Sequence, residues 1–413
     1  MKRRVDLLVL DSAEIVTLNE RDPRDLGIVD EGGVAVDKGK IVEVASSQFL
    51  ERKYSADKNL RVRGEVILPG FVDPHTHLIF SGSREREFES RLAGSTYLSI
   101  LKKGGGIMET VGKTRYATES ELLGVAQDRL NVAIESGTSA IEIKSGYGLN
   151  TYEELKILRT IRRLKRQSPC HISTTFLGAH AIPIGWTQTE YARLVIEEML
   201  PRVKQENLAD FCDVFCEKEA FDRDTARTIL RAGAAAGLKP KIHADQFTDS
   251  GGAGVANELR AVSADHLVYS DPVQLRKFVN REVTPVVLPA SSHSLLSTQY
   301  SNAREMLAEG LAVALGSDFS PSNWILGPLT IAAIAARTLR MKSEELIRAI
   351  TINAAKALAL DHKIGSLSPG KSADIVTLRI PNHRWIGYSY GEGLVDNVLI
   401  AGKRIVDRGQ RVD

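Results

Sequence analysis

The sequence has few cysteines, few aromatics and no long apolar run, and each shortage removes a class of function. Three cysteines in 413 residues are an odd number and provide no disulfide framework. Cys212 and Cys216, four apart in ADFCDVFCE, lack the close CxxC spacing of a zinc or redox motif. All three cysteines, Cys170 included, are therefore expected to be reduced core thiols. No stretch reaches the ~18 consecutive apolar residues of a membrane helix. The basic start MKRRVDLLVLDS is cut short by Asp6 and Asp11 and reads as a first β-strand rather than a signal peptide. A formal charge of +2 builds no field for gathering nucleic acid or lining an anionic membrane. No glycine-rich phosphate loop follows the first barrel-type strand. Trp186, Trp324 and Trp385 have no spacing of a stacking platform and are expected to pack ordinarily. What is left is a cytosolic protein with a small-molecule partner, of a length suited to one large barrel and a modest attachment.

The chain changes rhythm twice. Residues 1–66 alternate short apolar strands with Gly and Asp turns, and residues 364–413 repeat that texture, so the two ends are expected to form one small β-sandwich domain. Between them, residues 67–363 alternate strand-like runs with amphipathic stretches. Eight runs stand out: EVILPGFVDPHTH, SAIEIKSGYG, HISTTFLGAH, ADFCDVFCE, LKPKIHAD, RAVSADHL, VTPVVLP and LAVALGSD. In TYEELKILRTIRRLKR, Leu155, Leu158 and Ile161 share one side while Lys and Arg fill the other. Eight strands in βα alternation predict an α/β fold, a TIM-like (β/α)8 barrel. A doubly wound open sheet is the structural alternative. The barrel is preferred because almost every run ends in a residue able to bind metal or substrate, namely His75 and His77, Tyr147, His180, His243, His266 and Asp318. A closed barrel brings such carboxyl ends to one mouth.

His75-Thr76-His77 is the sharpest local motif, since residues two apart on a strand point the same way. With His243 and Asp318 it offers three imidazoles and one carboxylate, a donor set suited to zinc or iron with room for water. One ion per chain, Zn2+ or Fe3+, is expected. Lys144, beside Glu142, reads as half of a buried ion pair rather than a metal bridge. His171, His362 and His383 read as structural or exposed, and His293, after the seventh run, is left open.

These ligands, with HTHLIFSGSREREFESRLAGSTY, KKGGGIMETVGKTR, IEIKSGYGL, TTFLGAHAIP, DVFCEKEAFD, HADQFTDSGGA and SADHL, resemble the amidohydrolase superfamily and, within it, the imidazolonepropionase family, over the entire length. The resemblance implies a homodimeric hydrolase of histidine degradation that opens the cyclic amide of 4-imidazolone-5-propanoate to give N-formimino-L-glutamate. It puts His75, His77, His243 and Asp318 on the metal, Arg84 on the propionate carboxylate, and Tyr147 and His180 on further substrate contacts. It puts Gln246 on the imidazolone ring and His266 facing the reacting carbonyl, with Asp318 moving the proton; two-metal relatives carry a fourth-strand lysine where this chain has Glu217. The family usually runs Phe-Asn-Pro-Gly after the aspartate, where this chain has Phe319-Ser320-Pro321-Ser322-Asn323-Trp324. Ser320, Ser322 and Asn323 are the expected substrate contacts there, on a loop that either folds or binds differently. Another cyclic amidase or a deaminase is the alternative within the architecture, and a non-enzymatic scaffold the alternative outside it.

Overall fold

A computed structural model describes residues 2–18, 25–95, 105–390 and 393–412. Parts of two quoted segments, Thr96-Tyr97 and Lys102 to Gly104, lie outside the described residues. No helix among the described residues is long and apolar enough to cross a membrane.

Eight strands make one sheet in sequential order: Phe71–Asp73, Thr138–Lys144, His171–Ala179, Phe211–Cys216, Lys239–Ala244, Ser263–His266, Thr284–Val287 and Ala314–Leu315. They are the eight runs read from the sequence. The sheet closes where Thr76 bridges Phe319 in parallel, with Asp318 N donating to His75 O at 2.9 Å and His77 N donating to Phe319 O at 2.9 Å. The parallel barrel is thus complete, and the open-sheet alternative falls. Helix Thr151–Gln167 shows how the local code works: the Asn150 side chain accepts from Glu153 N at its start, and Leu155, Leu158 and Ile161 are buried, as a 3.6-residue period requires.

Contacts divide the chain into two compact units, one of Met1–Asp73, Asn131–Ala140 and Leu326–Asp413, the other of Pro74–Leu130 and Ile141–Ile325. The first unit holds two further sheets. One has the strand order Lys40–Ser46, Gly32–Asp37, Arg3–Leu10, Tyr54–Arg61; the other has seven strands and joins the two chain ends where Ile375–Leu378 pairs antiparallel with Val66–Pro69. Val9, Val34 and Val36 of one sheet pack with Ile15, Ile67, Ile375 and Leu399 of the other in one buried cluster, the alternating inward pattern of a sandwich.

The sequence run EVILPGFVDPHTH is not one strand. Val66–Pro69 belongs to the seven-stranded sheet and Phe71–Asp73 to the barrel. Gly70 is the break: its N donates to Asp374 O at 2.8 Å, and a Cβ there would lie 2.7 Å from Ser139 Cβ, too close for any other residue.

Candidate metal centre and active site

All the site residues below lie in the second unit. His75 and His77 follow the first barrel strand, His243 sits in the fifth, His266 ends the sixth, and Asp318 lies three residues past the eighth. Period-two alternation aims His243 and Lys241 into the barrel from one strand and Glu142 and Lys144 from another. Two of these positions take the left-handed backbone region, His266 at φ 75° and Asp318 at φ 52°, a conformation that costs a non-glycine residue ~1–2 kcal/mol and that clusters at functional sites.

The ligand atoms converge. His77 Nε2 and His243 Nε2 are 3.4 Å apart, and Asp318 Oδ1 is 3.6 Å from His75 Nε2 and 3.5 Å from His77 Nε2. These separations are too long for good hydrogen bonds. They match the edges of a ligand polyhedron, since metal–nitrogen bonds of ~2.0–2.1 Å in a tetrahedral set place donor atoms ~3.4 Å apart. Carboxylates stand at two of the other ring nitrogens: His75 Nδ1 donates to Asp265 Oδ2 at 2.6 Å, and His243 Nδ1 lies 2.9 Å from Asp213 Oδ2, whose other oxygen accepts from His243 N at 3.1 Å. That leaves each Nε2 lone pair for an ion. Burial holds His75, His77 and His266 well below the usual histidine range, which favours the neutral ring that a ligating histidine requires at His75 and His77. The donor set fits a metal ion.

Asp318 is pushed up to about 6 by burial, against a hydrogen bond from the Ser291 hydroxyl and the nearby His243. His180 stacks on His77 with ring centroids 4.9 Å apart; its Nδ1 donates to Gly146 O at 3.0 Å. Burial and then His243 push it down to about 3, leaving Nε2 as an acceptor.

A cavity of about 570 Å³ opens over this cluster, and Arg84, Tyr147, His180, Gln246, His266, Ser320 and Ser322 line it with His77, His243 and Asp318. Ile107, Met108, Ile182, Phe215 and Phe247 supply apolar wall. Arg84 is buried, its Nε 3.1 Å from Glu87 Oε2. His75 lies beneath the floor, fully buried.

Asn323 departs from the expected substrate contact. It is buried, its Nδ2 donates to Ser317 O at 2.7 Å and Asp318 O at 3.2 Å, and its Oδ1 accepts from Ser294 Oγ at 2.8 Å. Its amide is spent on the backbone that carries Asp318. The divergent loop is a turn closed by Asn323 N donating to Ser320 O at 3.1 Å, with Pro321 at the second position. None of Ser320 to Trp324 has a positive φ, so this loop does not require the missing glycine. Arg129 braces it: the guanidinium stands 3.6 Å over the Phe80 ring and 5.2 Å from Trp324, and it donates to Leu78 O at 2.7 Å and Phe80 O at 2.9 Å.

Glu142 and Lys144 do form a buried ion pair, at 2.8 Å. Glu217 accepts from Phe247 N at 2.8 Å and Thr248 N at 3.2 Å, pinning the segment after Gln246. His293 is exposed and outside the cavity lining, His171 is half-buried and His362 exposed, while buried His383 pairs with Glu14 at 2.6 Å. The three cysteines are buried and free. Sequence reasoning missed Asp213, Asp265, Lys241, Ser291 and Arg129. A signal was present for the two aspartates, each an acidic residue inside an apolar strand run, DVFC and SADH.

Residues 227–405 match the model of the amidohydrolase family. Among curated proteins, the chain is 40% identical to the imidazolonepropionase of Alkaliphilus oremlandii over 98% of this chain and 99% of that one. It is 40% identical to the imidazolonepropionase of Geobacillus kaustophilus over 99% and 98%, and 41% to that of Shouchella clausii over 94% and 88%. The chain belongs to the imidazolonepropionase family. Solved structures agree on the fold. An adenosine deaminase from Xanthomonas campestris with bound zinc superposes with TM-score 0.76 at 17% identity, covering 100% of this chain and 95% of that one. An atrazine chlorohydrolase from Arthrobacter aurescens complexed with zinc gives 0.74 at 17%, covering 98% and 96%. Family membership and the histidine–aspartate cluster together point to a metal ion in this imidazolonepropionase-family chain.

Proposed function

We propose that the chain hydrolyses the cyclic amide of 4-imidazolone-5-propanoate to N-formimino-L-glutamate. One observation carries the reading: a buried arginine faces the same cavity as His77, His243 and Asp318, with His75 directly beneath, in a chain of this family. One ion, zinc or iron(III), is held by His75, His77, His243 and Asp318. When bound, such an ion lowers the pKa of a coordinated water toward neutrality and polarises a carbonyl oxygen. A second ion is disfavoured because the remaining acidic grouping, Glu142 with Asp265, already holds the ammoniums of Lys144 and Lys241.

Arg84 grips the propionate carboxylate, its planar fork suited to two parallel bonds. Gln246 holds the ring through its amide, and Tyr147 and His180 close the wall, with His180 Nε2 accepting from a ring N–H. Water adds to the ring carbonyl carbon; Asp318 removes its proton and hands it to the departing ring nitrogen as the carbon–nitrogen bond breaks. A carboxylate lining the cavity is suited to act first as general base toward the water and then as general acid toward the departing nitrogen. His266 donates to the developing oxyanion, a contribution of ~3 kcal/mol for a well-placed donor. Ser320 and Ser322 offer hydroxyls at the rim of the cavity.

We further propose a cytoplasmic homodimer without a nucleic-acid partner, its barrel at 67–363 between β-domain segments 1–66 and 364–413; light scattering and limited proteolysis test the dimer and the boundaries. The reading itself is tested by ultraviolet loss of 4-imidazolone-5-propanoate with purified, metal-loaded protein. Turnover supports it, and none with the metal site fully loaded overturns it.

A further inference from the structure

Beneath the metal ligands lies a layer of charge fully closed to solvent, built from Glu142 and Lys144 of the second barrel strand, Asp213 of the fourth, Lys241 of the fifth and Asp265 of the sixth. Three carboxylates and two ammoniums in such a place are weak evidence of stability, because desolvation offsets their attraction. Their connectivity is more informative. The oxygen that lies 2.9 Å from His243 Nδ1, Asp213 Oδ2, is also 2.8 Å from Lys144 Nζ. The oxygen that accepts from His75 Nδ1, Asp265 Oδ2, is 3.6 Å from the same Nζ. One ammonium thus stands against both carboxylate oxygens that lie at the Nδ1 atoms of two proposed ligand imidazoles, one after the first barrel strand and one in the fifth. Lys241 differs: its Nζ is 2.8 Å from Glu142 Oε1 and donates to Pro74 O at 3.0 Å.

We infer that Lys144 is a positioning residue for the metal centre, holding Asp213 and Asp265 aimed at His243 and His75 so that both rings present Nε2 to the same ion. The inference rests on the metal site proposed above. An ammonium between two carboxylates keeps them from turning away from each other, and so keeps each oxygen on its Nδ1–H. Without it, Asp213 and Asp265 face each other across a dry space with only Lys241 to balance Glu142, and relieve the repulsion by rotating off the imidazoles. Groups that orient a ligating histidine in this way are worth ~10–100-fold in metal affinity.

The test measures metal affinity by chelator competition on apoprotein, with zinc as probe, alongside thermal unfolding of the apo form. Lys144→Met is expected to weaken zinc 10–100-fold. Because an unbalanced buried carboxylate can prevent folding, Glu142→Gln/Lys144→Met is the second variant; it restores the charge count yet still lacks the ammonium, and is expected to fold and to bind as weakly. Glu142→Gln alone leaves both aspartates against Lys144 and is expected to bind within about threefold of the parent protein. Zinc binding by the double variant as tight as the parent's overturns the inference, and so does failure of both Lys144 variants to fold, which makes the lysine a folding residue. Parent protein that binds no zinc or iron overturns the metal site itself, a separate outcome.

Discussion

Asn323→Ala tests whether the divergent loop serves Asp318. The amide makes three hydrogen bonds, two buried ones from Nδ2 to Ser317 O and Asp318 O and a partly buried one from Ser294 Oγ to Oδ1. Truncation removes all three, and at about 1 kcal/mol each the loss is ~3 kcal/mol. At ~2 °C per kcal/mol for a large chain, Tm should fall by roughly 6 °C. Catalysis should suffer more. Asp318 sits at φ 52°, a strained conformation held by its surroundings, and with its carbonyl released the carboxylate is free to shift; a displacement of about 1 Å costs ~10²-fold in rate. Ser294→Ala, which removes only the third bond, should lower Tm by roughly 2 °C and leave kcat intact. Thermal unfolding at fixed scan rate and steady-state kinetics on fully loaded protein decide the matter. If kcat of Asn323→Ala stays within twofold of the parent, the clamp plays no part in placing Asp318.

Arg84→Ala should raise KM for the carboxylated substrate by ~10–100-fold, the value of a charge-assisted bond, with kcat changed far less; loss of kcat at constant KM would refute the assigned grip. Dialysis against a chelator should abolish turnover and lower Tm, since an ion at ~100 times its Kd stabilises by ~2.7 kcal/mol, and one equivalent of metal should restore both. Glu65, raised from 4.5 to about 7 by burial and then by neighbouring Asp396, favours its protonated form in the fold, so its contribution is complete below pH ~4.5 and lost as pH rises through ~7. Glu65→Gln should therefore gain Tm relative to the parent between pH 5 and about 8, and a flat difference across that window would contradict the assignment.

The barrel was legible because buried parallel strands leave short apolar runs, and because almost every such run here ends in a polar residue that the closed sheet carries to the mouth. The convergence of His75, His77, His243 and Asp318 and the seven residues that line the cavity beside them were readable on that basis together with the family likeness. The break at Gly70 was not, because apolar strand-like residues resume at Phe71 directly after Pro69-Gly70, while the pairing partner changes from Ile375–Leu378 to the barrel. The supporting carboxylates Asp213 and Asp265 were hidden for another reason: their value depends on rings contributed by other strands, and spacing along the chain contains no record of that register. Asn323 was misplaced because an amide next to an active site can bind either a ligand or the backbone. Only the turn at Pro321 and Ser322 shows which.

The measurement that tests the central claim most directly is turnover of 4-imidazolone-5-propanoate by metal-loaded protein in water labelled with heavy oxygen, with the product analysed by mass spectrometry. The account predicts N-formimino-L-glutamate carrying one label in the carboxylate formed from the ring carbonyl, and none from apoprotein. No turnover by the loaded protein, or product without the label, would contradict it.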